Sequence, residues 1–188
     1  DKRFEEELIR LEQEGMEGLI IDVRNNPGGI LPVVINMANL FIDEGKPIVQ
    51  VEYNSGRREQ FKASGNEKHK GYPIVVITNK GSASASEILA ASLREAAGAT
   101  VIGEQTFGKG TVQSTFNTAV KDGSNVKLTI AEWLTPEGNS VNEDGVKPDI
   151  PASLPEAYHV SPLPKDKELA VDMVGDAVAN LQIMLETI

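Results

Sequence analysis

The sequence has no cysteine and only two histidines, His69 and His159. The first absence excludes a Cys-His dyad, and it is compatible with an exported protein. The second leaves a Ser-His-Asp triad few candidates. His69 sits in the polar loop Asn66-Glu-Lys-His-Lys70 and His159 in a proline-rich tail, so each reads as a surface histidine. Two histidines so placed show no metal-ligand spacing. Positive charge is scarce as well: 18 Lys and Arg against 28 Asp and Glu give a formal net charge of −10. That balance argues against nucleic acid as a partner, because phosphate binding needs a basic surface. No apolar run approaches the roughly 18–20 residues of a membrane-spanning helix.

What is present suffices for one domain with a tail. The chain has 188 residues, 40% of them hydrophobic, enough for a sizeable core. Its glycines and prolines are spread along it, with no repeat and no low-complexity segment. Phe4, Leu8 and Leu11 have helical spacing over residues 3–14, with Gly15 as a stop. Gly18-Leu-Ile-Ile-Asp-Val23 and Ile74-Val-Val-Ile-Thr78 read as buried strands. Pro32 opens a helix to about Ile42, and a second helix runs from Ser84 to Ala97, ended by Gly98. Residues 47–53 and 58–63 form a predicted hairpin around Asn54-Ser-Gly56. Val101-Ile-Gly103 is a short strand. Residues 111–116 and 126–134 alternate as strands across a loop holding Asp122-Gly123. Strands alternating with helices over residues 18–105 imply an α/β layered core. Pro148, Pro151, Pro155, Pro162 and Pro164 are expected outside regular elements. A last amphipathic helix is predicted over Asp176 to Thr187, with Val178, Leu181 and Leu185 on one side.

Two segments carry residues for nucleophilic catalysis without histidine. Lys80-Gly-Ser-Ala-Ser-Ala-Ser-Glu87 puts Ser84 at a helix start. Ser84-Ala-Ser-Glu87 fits the Ser-x-x-Glu capping box, which is by itself an adequate structural reason for both residues. A helix start is also where a nucleophile gains most, since the free amide of Ala85 and the positive end of the helix dipole stabilise an oxyanion. Spacing alone does not separate Ser84 from Ser82 and Ser86. Thr106-Phe-Gly-Lys-Gly-Thr-Val-Gln113 holds Lys109 between glycines. It reads either as an exposed turn lysine or as a base closely approached by other backbone. A lysine base must be neutral, a form that apolar burial favours. On a strand, residues 109, 111 and 113 share one face, so the Gln113 amide is placed to hold the Lys109 amine; an ordinary polar strand residue is the other reading of Gln113. Asn25-Asn-Pro-Gly-Gly29, between a buried strand and a helix, is either a plain turn or the source of a second oxyanion donor at Gly28 or Gly29. Gly103-Glu-Gln-Thr-Phe-Gly-Lys-Gly110 only mimics a phosphate-binding loop. Gly110 stands where Ser or Thr must ligate magnesium, and strand rather than helix is predicted to follow.

Four segments together resemble the carboxyl-terminal processing peptidases, also called tail-specific proteases. They are Gly18-Leu-Ile-Ile-Asp-Val-Arg-Asn-Asn-Pro-Gly-Gly29, Asn79-Lys-Gly-Ser-Ala-Ser-Ala-Ser-Glu-Ile-Leu-Ala90, Gly103-Glu-Gln-Thr-Phe-Gly-Lys-Gly-Thr-Val-Gln113 and Gly145-Val-Lys-Pro-Asp149. Their order and spacing also agree, with Lys109 lying 25 residues after Ser84. The resemblance, which spans most of residues 3–150, implies a Ser-Lys-Gln catalytic set of Ser84, Lys109 and Gln113. It implies oxyanion donors at Ala85 and at Gly28 or Gly29, and no metal or cofactor. The implied fold is an α/β core like that of Clp protease and crotonase over residues 1–150. A Pro-rich extension, residues 151–188, would end in the start of a peptidoglycan-binding-like helix. Family members cut exported proteins, often near their carboxyl termini. The resemblance therefore implies a serine endopeptidase acting on protein or peptide substrates outside the cytoplasm, from a longer exported or membrane-attached protein with room for a homodimer. The PDZ domain that precedes this core in family members is absent from the sequence. Asp1-Lys-Arg-Phe-Glu-Glu-Glu opens into a charged helix without a signal peptide, so a fragment is expected. Two alternatives use the same core: a non-proteolytic ligand-binding module, against which an intact Ser84, Lys109 and Gln113 argue, and an acyl-CoA enzyme, which the acidic balance disfavours.

Overall fold

Three short apolar runs become the parallel strands from which the site emerges. The computed structural model describes residues 2–64, 71–117, 124–158, 160–166 and 168–186. Up to residue 151 the elements are α1 (Lys2–Gln13), β1 (Leu19–Asp22), α2 (Leu31–Asn39), β2 (Pro47–Tyr53), β3 (Arg58–Lys62), β4 (Ile74–Thr78), α3 (Ala85–Ala97), β5 (Thr100–Gly103), β6 (Thr111–Asn117), β7 (Asn125–Leu134) and β8 (Ile150–Pro151). One sheet has the order β1-β4-β5-β8 and is parallel throughout, with Leu19 beside Ile74, Val76 beside Val101 and Ile102 beside Ile150. The second, β3-β2-β7-β6, is antiparallel. The α/β layering expected from the sequence is the architecture observed.

The helix α3 lies between layers and is buried on nearly all sides. Its alanines make that possible: Ala90 and Ala91 are completely covered, as is Leu93. It packs on α2, β2 and β5. Ser92 does more than allow close approach, since its hydroxyl reaches the Ile48 carbonyl on β2 at 2.7 Å. Phe41, Ile48, Val76, Val101 and Trp133 fill the core around it. Each such aliphatic side chain contributes about 1.5–3 kcal/mol by leaving water.

Two expectations need correction. The helix α2 ends at Asn39 rather than near Ile42. Its last turn tightens, with the Leu40 amide donating to Met37 and the Phe41 amide to Ala38, and this turns Phe41 and Ile42 into the core. Pro151, expected outside regular structure, belongs to β8 and pairs with Gly103. It is tolerated because β8 is the sheet's outermost strand, where a missing amide leaves no ladder bond broken.

Residues 152–188 form a separate compact unit. It contains a 3-10 turn at Glu156–Tyr158 and a helix α4 at Asp176–Glu186. The Asn180 amide donates to the Ser161 carbonyl at 3.1 Å. The apolar side predicted for this helix is not buried, and Leu185 is 61% exposed. His69, His159, Asp122, Gly123 and Thr187 lie outside the described residues.

The parallel sheet fixes where the chemistry can be. The glycine turn leaves the carboxyl end of β1, the serine loop the carboxyl end of β4, and the lysine loop the carboxyl end of β5. The crevice beyond the carboxyl ends of parallel strands is where α/β sheets bind ligands.

Candidate active site

Asparagines staple the serine loop to the glycine turn. The Asn79 side-chain oxygen accepts the amides of Asn25 (2.8 Å) and Gly81 (3.0 Å), and its amide group donates to the Asn25 side chain at 2.9 Å. The Ala83 amide donates to the Asn26 carbonyl, and the Ser82 hydroxyl to the Val23 carbonyl at 2.7 Å. Gly28 adopts φ 91° and faces this junction so closely that a Cβ there would lie 2.5 Å from the Ala83 oxygen and 2.6 Å from the Ala85 nitrogen. Arg24, just before the turn, grips Asp22 through Nη2 (2.6 Å) and Nε, and this hydrogen bonding holds the Asp22 carboxyl below the usual carboxylate range.

Ser84 starts α3 with φ 55° and ψ −116°. An ordinary N-cap is extended, and positive φ is uncommon away from glycine. Such strain concentrates at functional sites, as in the sharp strand-to-helix turn that presents a hydrolase nucleophile. The capping box read from the sequence is present, its Glu87 side chain accepting the Ser84 amide at 2.7 Å. The amides of Glu87 and Ile88 both run back to the Ser84 carbonyl, which leaves the Ala85 amide out of the helical ladder.

Glu87 also does something a capping glutamate need not do. It is wholly buried, and its carboxyl group accepts from the amides of Lys109 (2.9 Å) and Gly108 (2.7 Å) and from the Thr106 hydroxyl (2.5 Å). The serine and lysine loops are thus joined through one side chain. Trp133 takes the other end of the lysine peptide unit, its indole N–H donating to the Lys109 carbonyl at 2.8 Å. The glycines flanking Lys109 are needed for close approach, as the sequence suggested: a Cβ on Gly110 would lie 2.6 Å from that of Asn142.

Ser84, Ala85, Lys109 and Gln113 line one cleft of about 320 Å³, together with Gly29, Thr111, Lys127 and Trp133. Lys109 is half-buried, and Gln113 is exposed on β6. Among the described residues no side-chain hydrogen bond links Ser84, Lys109 and Gln113; the expected amide-to-amine contact of Gln113 is not made. Catalytic hydrogen bonds are often loose before substrate arrives. The two glycines differ. The Gly28 amide already donates to the Asn26 side chain at 3.0 Å, whereas Gly29 lines the cleft in open space. The competing serines also separate. Ser82 is fully buried and bonded to backbone, and Ser86 lines a neighbouring apolar groove instead of this cleft. The segment resembling a phosphate loop leads into β6, not into a helix.

The sequence reading missed Glu87 as a clamp, Asn79 as a staple, and Trp133 and Lys127 as cleft residues. A glutamate among the apolar residues of α3 was a signal for the first. The others depend on strand register and loop contacts.

Comparison with known proteins agrees with this geometry. The model of peptidase family S41 matches residues 1–152. The chain is 44% identical over 187 residues to the carboxy-terminal processing protease CtpA of Bacillus subtilis, covering 100% of this chain and 40% of that protein. It is 42% identical over 183 residues to CtpB of the same organism, covering 97% and 38% respectively. Among solved structures, the photosystem II D1 C-terminal processing protease superposes with a TM-score of 0.70 at 39% identity, over 77% of this chain and 36% of that one. The chain thus spans about 40% of the length of the first relative it matches. A strained serine turn at the end of one parallel strand, a lysine loop at the end of the next and a family match across both make the assignment plain: this chain belongs to peptidase family S41.

Proposed function

We propose that the chain is the catalytic core of a serine endopeptidase that cuts exported proteins near their carboxyl termini, outside the cytoplasm. The observation that carries this reading is the convergence of Ser84, Lys109 and Gln113 on one cleft, beside the uncommitted amides of Ala85 and Gly29. Substrate binding brings the Lys109 amine to the Ser84 hydroxyl. The lysine takes the hydroxyl proton as Oγ attacks the peptide carbonyl. The carbonyl oxygen becomes an oxyanion, held by the Ala85 amide at the α3 N-terminus and by the Gly29 amide. Gly29 is preferred over Gly28 because the Gly28 amide is already bonded. The lysine ammonium then gives its proton to the leaving amine. Water, deprotonated by the same lysine, attacks the acyl-enzyme carbonyl; the ester C–O bond breaks and the lysine returns that proton to the departing Ser84 Oγ. Gln113 orients the amine once the cleft is filled.

The names of the relatives support carboxyl-terminal processing, and the exported setting rests on the family resemblance alone. Among the described residues no helix is long and apolar enough to cross a membrane.

The test is cleavage of an unfolded, fluorescently labelled protein by the chain and by its Ser84→Ala and Lys109→Ala variants. Both variants should lose at least about a thousandfold in kcat/KM while keeping the parent's circular dichroism. Cleavage surviving in Ser84→Ala would sink the assignment. Saturable ligand uptake unaffected by either change would favour the binding-module reading instead.

A further inference from the structure

The cleft contains a second lysine that the catalytic reading does not use. Lys127 is on β7, where it sits opposite Thr115 of β6, while Gln113 sits opposite Thr129. Residues facing each other across an antiparallel pair share a side of the sheet, so Lys127 is the diagonal neighbour of Gln113 on one face. Lys127 lines the same cleft as Ser84 and Lys109. It is exposed, and its amine has no hydrogen-bond or ion-pair partner among the described residues.

The charge around it is unusual for this chain. Acidic residues outnumber basic ones 28 to 18, yet among the described residues no Asp or Glu lines the cleft. Lys109 and Lys127 are the two basic residues in the cleft, and Lys127 is the one the Ser-Lys reading leaves unused. The other walls include Ile30, Leu31, Ile88 and Val112, none of which carries charge. A protein of net charge −10 repels an approaching anion at long range. A basic side chain unpaired among the described residues, on a flexible stem, supplies the local attraction that an anionic substrate group needs there.

We infer that Lys127 is a specificity residue that binds a carboxylate of the substrate polypeptide while the scissile bond lies at Ser84. This rests on the peptidase reading above. Two substrate groups carry that chemistry, the chain-terminal α-carboxylate and an Asp or Glu side chain.

Three versions of one fluorescent peptide separate the sources: a free-acid carboxyl terminus, a terminal amide, and a terminal amide with one internal Glu. KM is measured with the parent chain and its Lys127→Gln and Lys127→Arg variants. Direct binding by anisotropy uses the same set in a Ser84→Ala background. The parent should prefer at least one carboxylate peptide over the plain amide by about five- to tenfold. Lys127→Gln should erase that preference and Lys127→Arg should keep most of it. Salt should weaken the preferred peptide selectively. A preference confined to the free acid assigns the α-carboxylate, and one confined to the internal Glu assigns a side chain. No carboxylate preference in the parent, equal losses for all three peptides in Lys127→Gln, or no saturable binding by any peptide would each overturn the proposal. Cleavage persisting in Ser84→Ala would instead overturn the Ser-Lys reading and leave the anisotropy result to decide Lys127.

Discussion

Glu87 Oε2 accepts the backbone amides of both Ser84 and Lys109, at 2.7 and 2.9 Å. The proposed nucleophile and base come from loops after different strands, and this one buried atom sets the spacing of their backbones. Oε1 accepts the Gly108 amide and the Thr106 hydroxyl. A glutamine cannot replace it, because its terminal nitrogen would face donors. Each donor so orphaned costs about 1–3 kcal/mol. Glu87→Gln should therefore lower the melting temperature, by roughly 2–4 °C per kcal/mol for a chain of this size. It should also cut kcat more than a hundredfold, with KM changed far less. Thermal melts and steady-state kinetics check both. A stable, fully active Glu87→Gln would show that the clamp does not position the site.

Glu87 also shows how far the sequence could be read. Ser84-x-x-Glu87 identified a helix start correctly, because a capping box is local chemistry. The glutamate's reach to residues 106–109 was invisible, since it depends on loops after β4 and β5 being parallel neighbours. The layered α/β core was legible from apolar runs and turn residues for the same local reason. The segments around Ser84 and Lys109 stood out as well, because their glycines and small residues form dense patterns, and the fold brings both residues to one cleft. Lys127 was not legible: its place in the cleft follows from the β6–β7 register, which shifts between Val112 and Gln113. Pro151 misled because the rule against proline in strands is relaxed at a sheet edge that no local pattern announces.

The three serines of the serine loop should behave differently. Ser86→Ala should retain activity within about threefold, because Ser86 lines the adjoining groove and not the cleft that holds Ser84 and Lys109. Ser82→Ala removes a buried bond to the Val23 carbonyl and should cost about 1–3 kcal/mol of stability. It should keep measurable cleavage below its melting temperature. Loss of all cleavage in Ser86→Ala, with folding intact, would move the nucleophile assignment away from Ser84.

Trp133 is the chain's single tryptophan, is 1% exposed and contributes to the cleft wall. Its emission should shift when a peptide binds the Ser84→Ala variant. Trp133→Phe deletes the donor to the Lys109 carbonyl and should reduce kcat by about tenfold or more, with a melting temperature lower by a few degrees. A fluorescence signal unmoved by saturating peptide would show that the substrate lies elsewhere.

Asp22 gives a pH signature. Hydrogen bonding to Arg24 lowers its folded-state pKa, so the pair's contribution is complete above the unfolded value, about 3.9. It is lost as pH falls through the lower folded value. Both side chains are exposed, so solvent screening keeps the effect small. Arg24→Gln should be slightly less stable than the parent in urea at neutral pH. That difference should vanish in strong acid; a difference that grew as pH fell would have the wrong sign.

Gly28 and Gly29 supply the sharpest contrast, because adjacent residues of one turn are predicted to respond oppositely to the same added methyl group. An alanine at Gly28 must keep φ near 91° and place its Cβ against the backbone of Ala83 and Ala85. Neither neighbour can yield without moving Ser84, so Gly28→Ala should lose several kcal/mol of stability or most of its activity. At Gly29 no atom lies within 4 Å of the new Cβ, and the amide proposed to serve the oxyanion is untouched. Gly29→Ala should fold like the parent and keep kcat within about tenfold, any loss appearing as KM because the methyl group narrows the cleft. Methylating or otherwise removing the Gly29 amide by semisynthesis should instead reduce kcat by about 100- to 1,000-fold, as expected for one lost oxyanion donor. If Gly28→Ala proved harmless and Gly29→Ala abolished folding, the close approach between the glycine turn and the Ser84 loop would be refuted, and with it the construction of the oxyanion hole from these two segments.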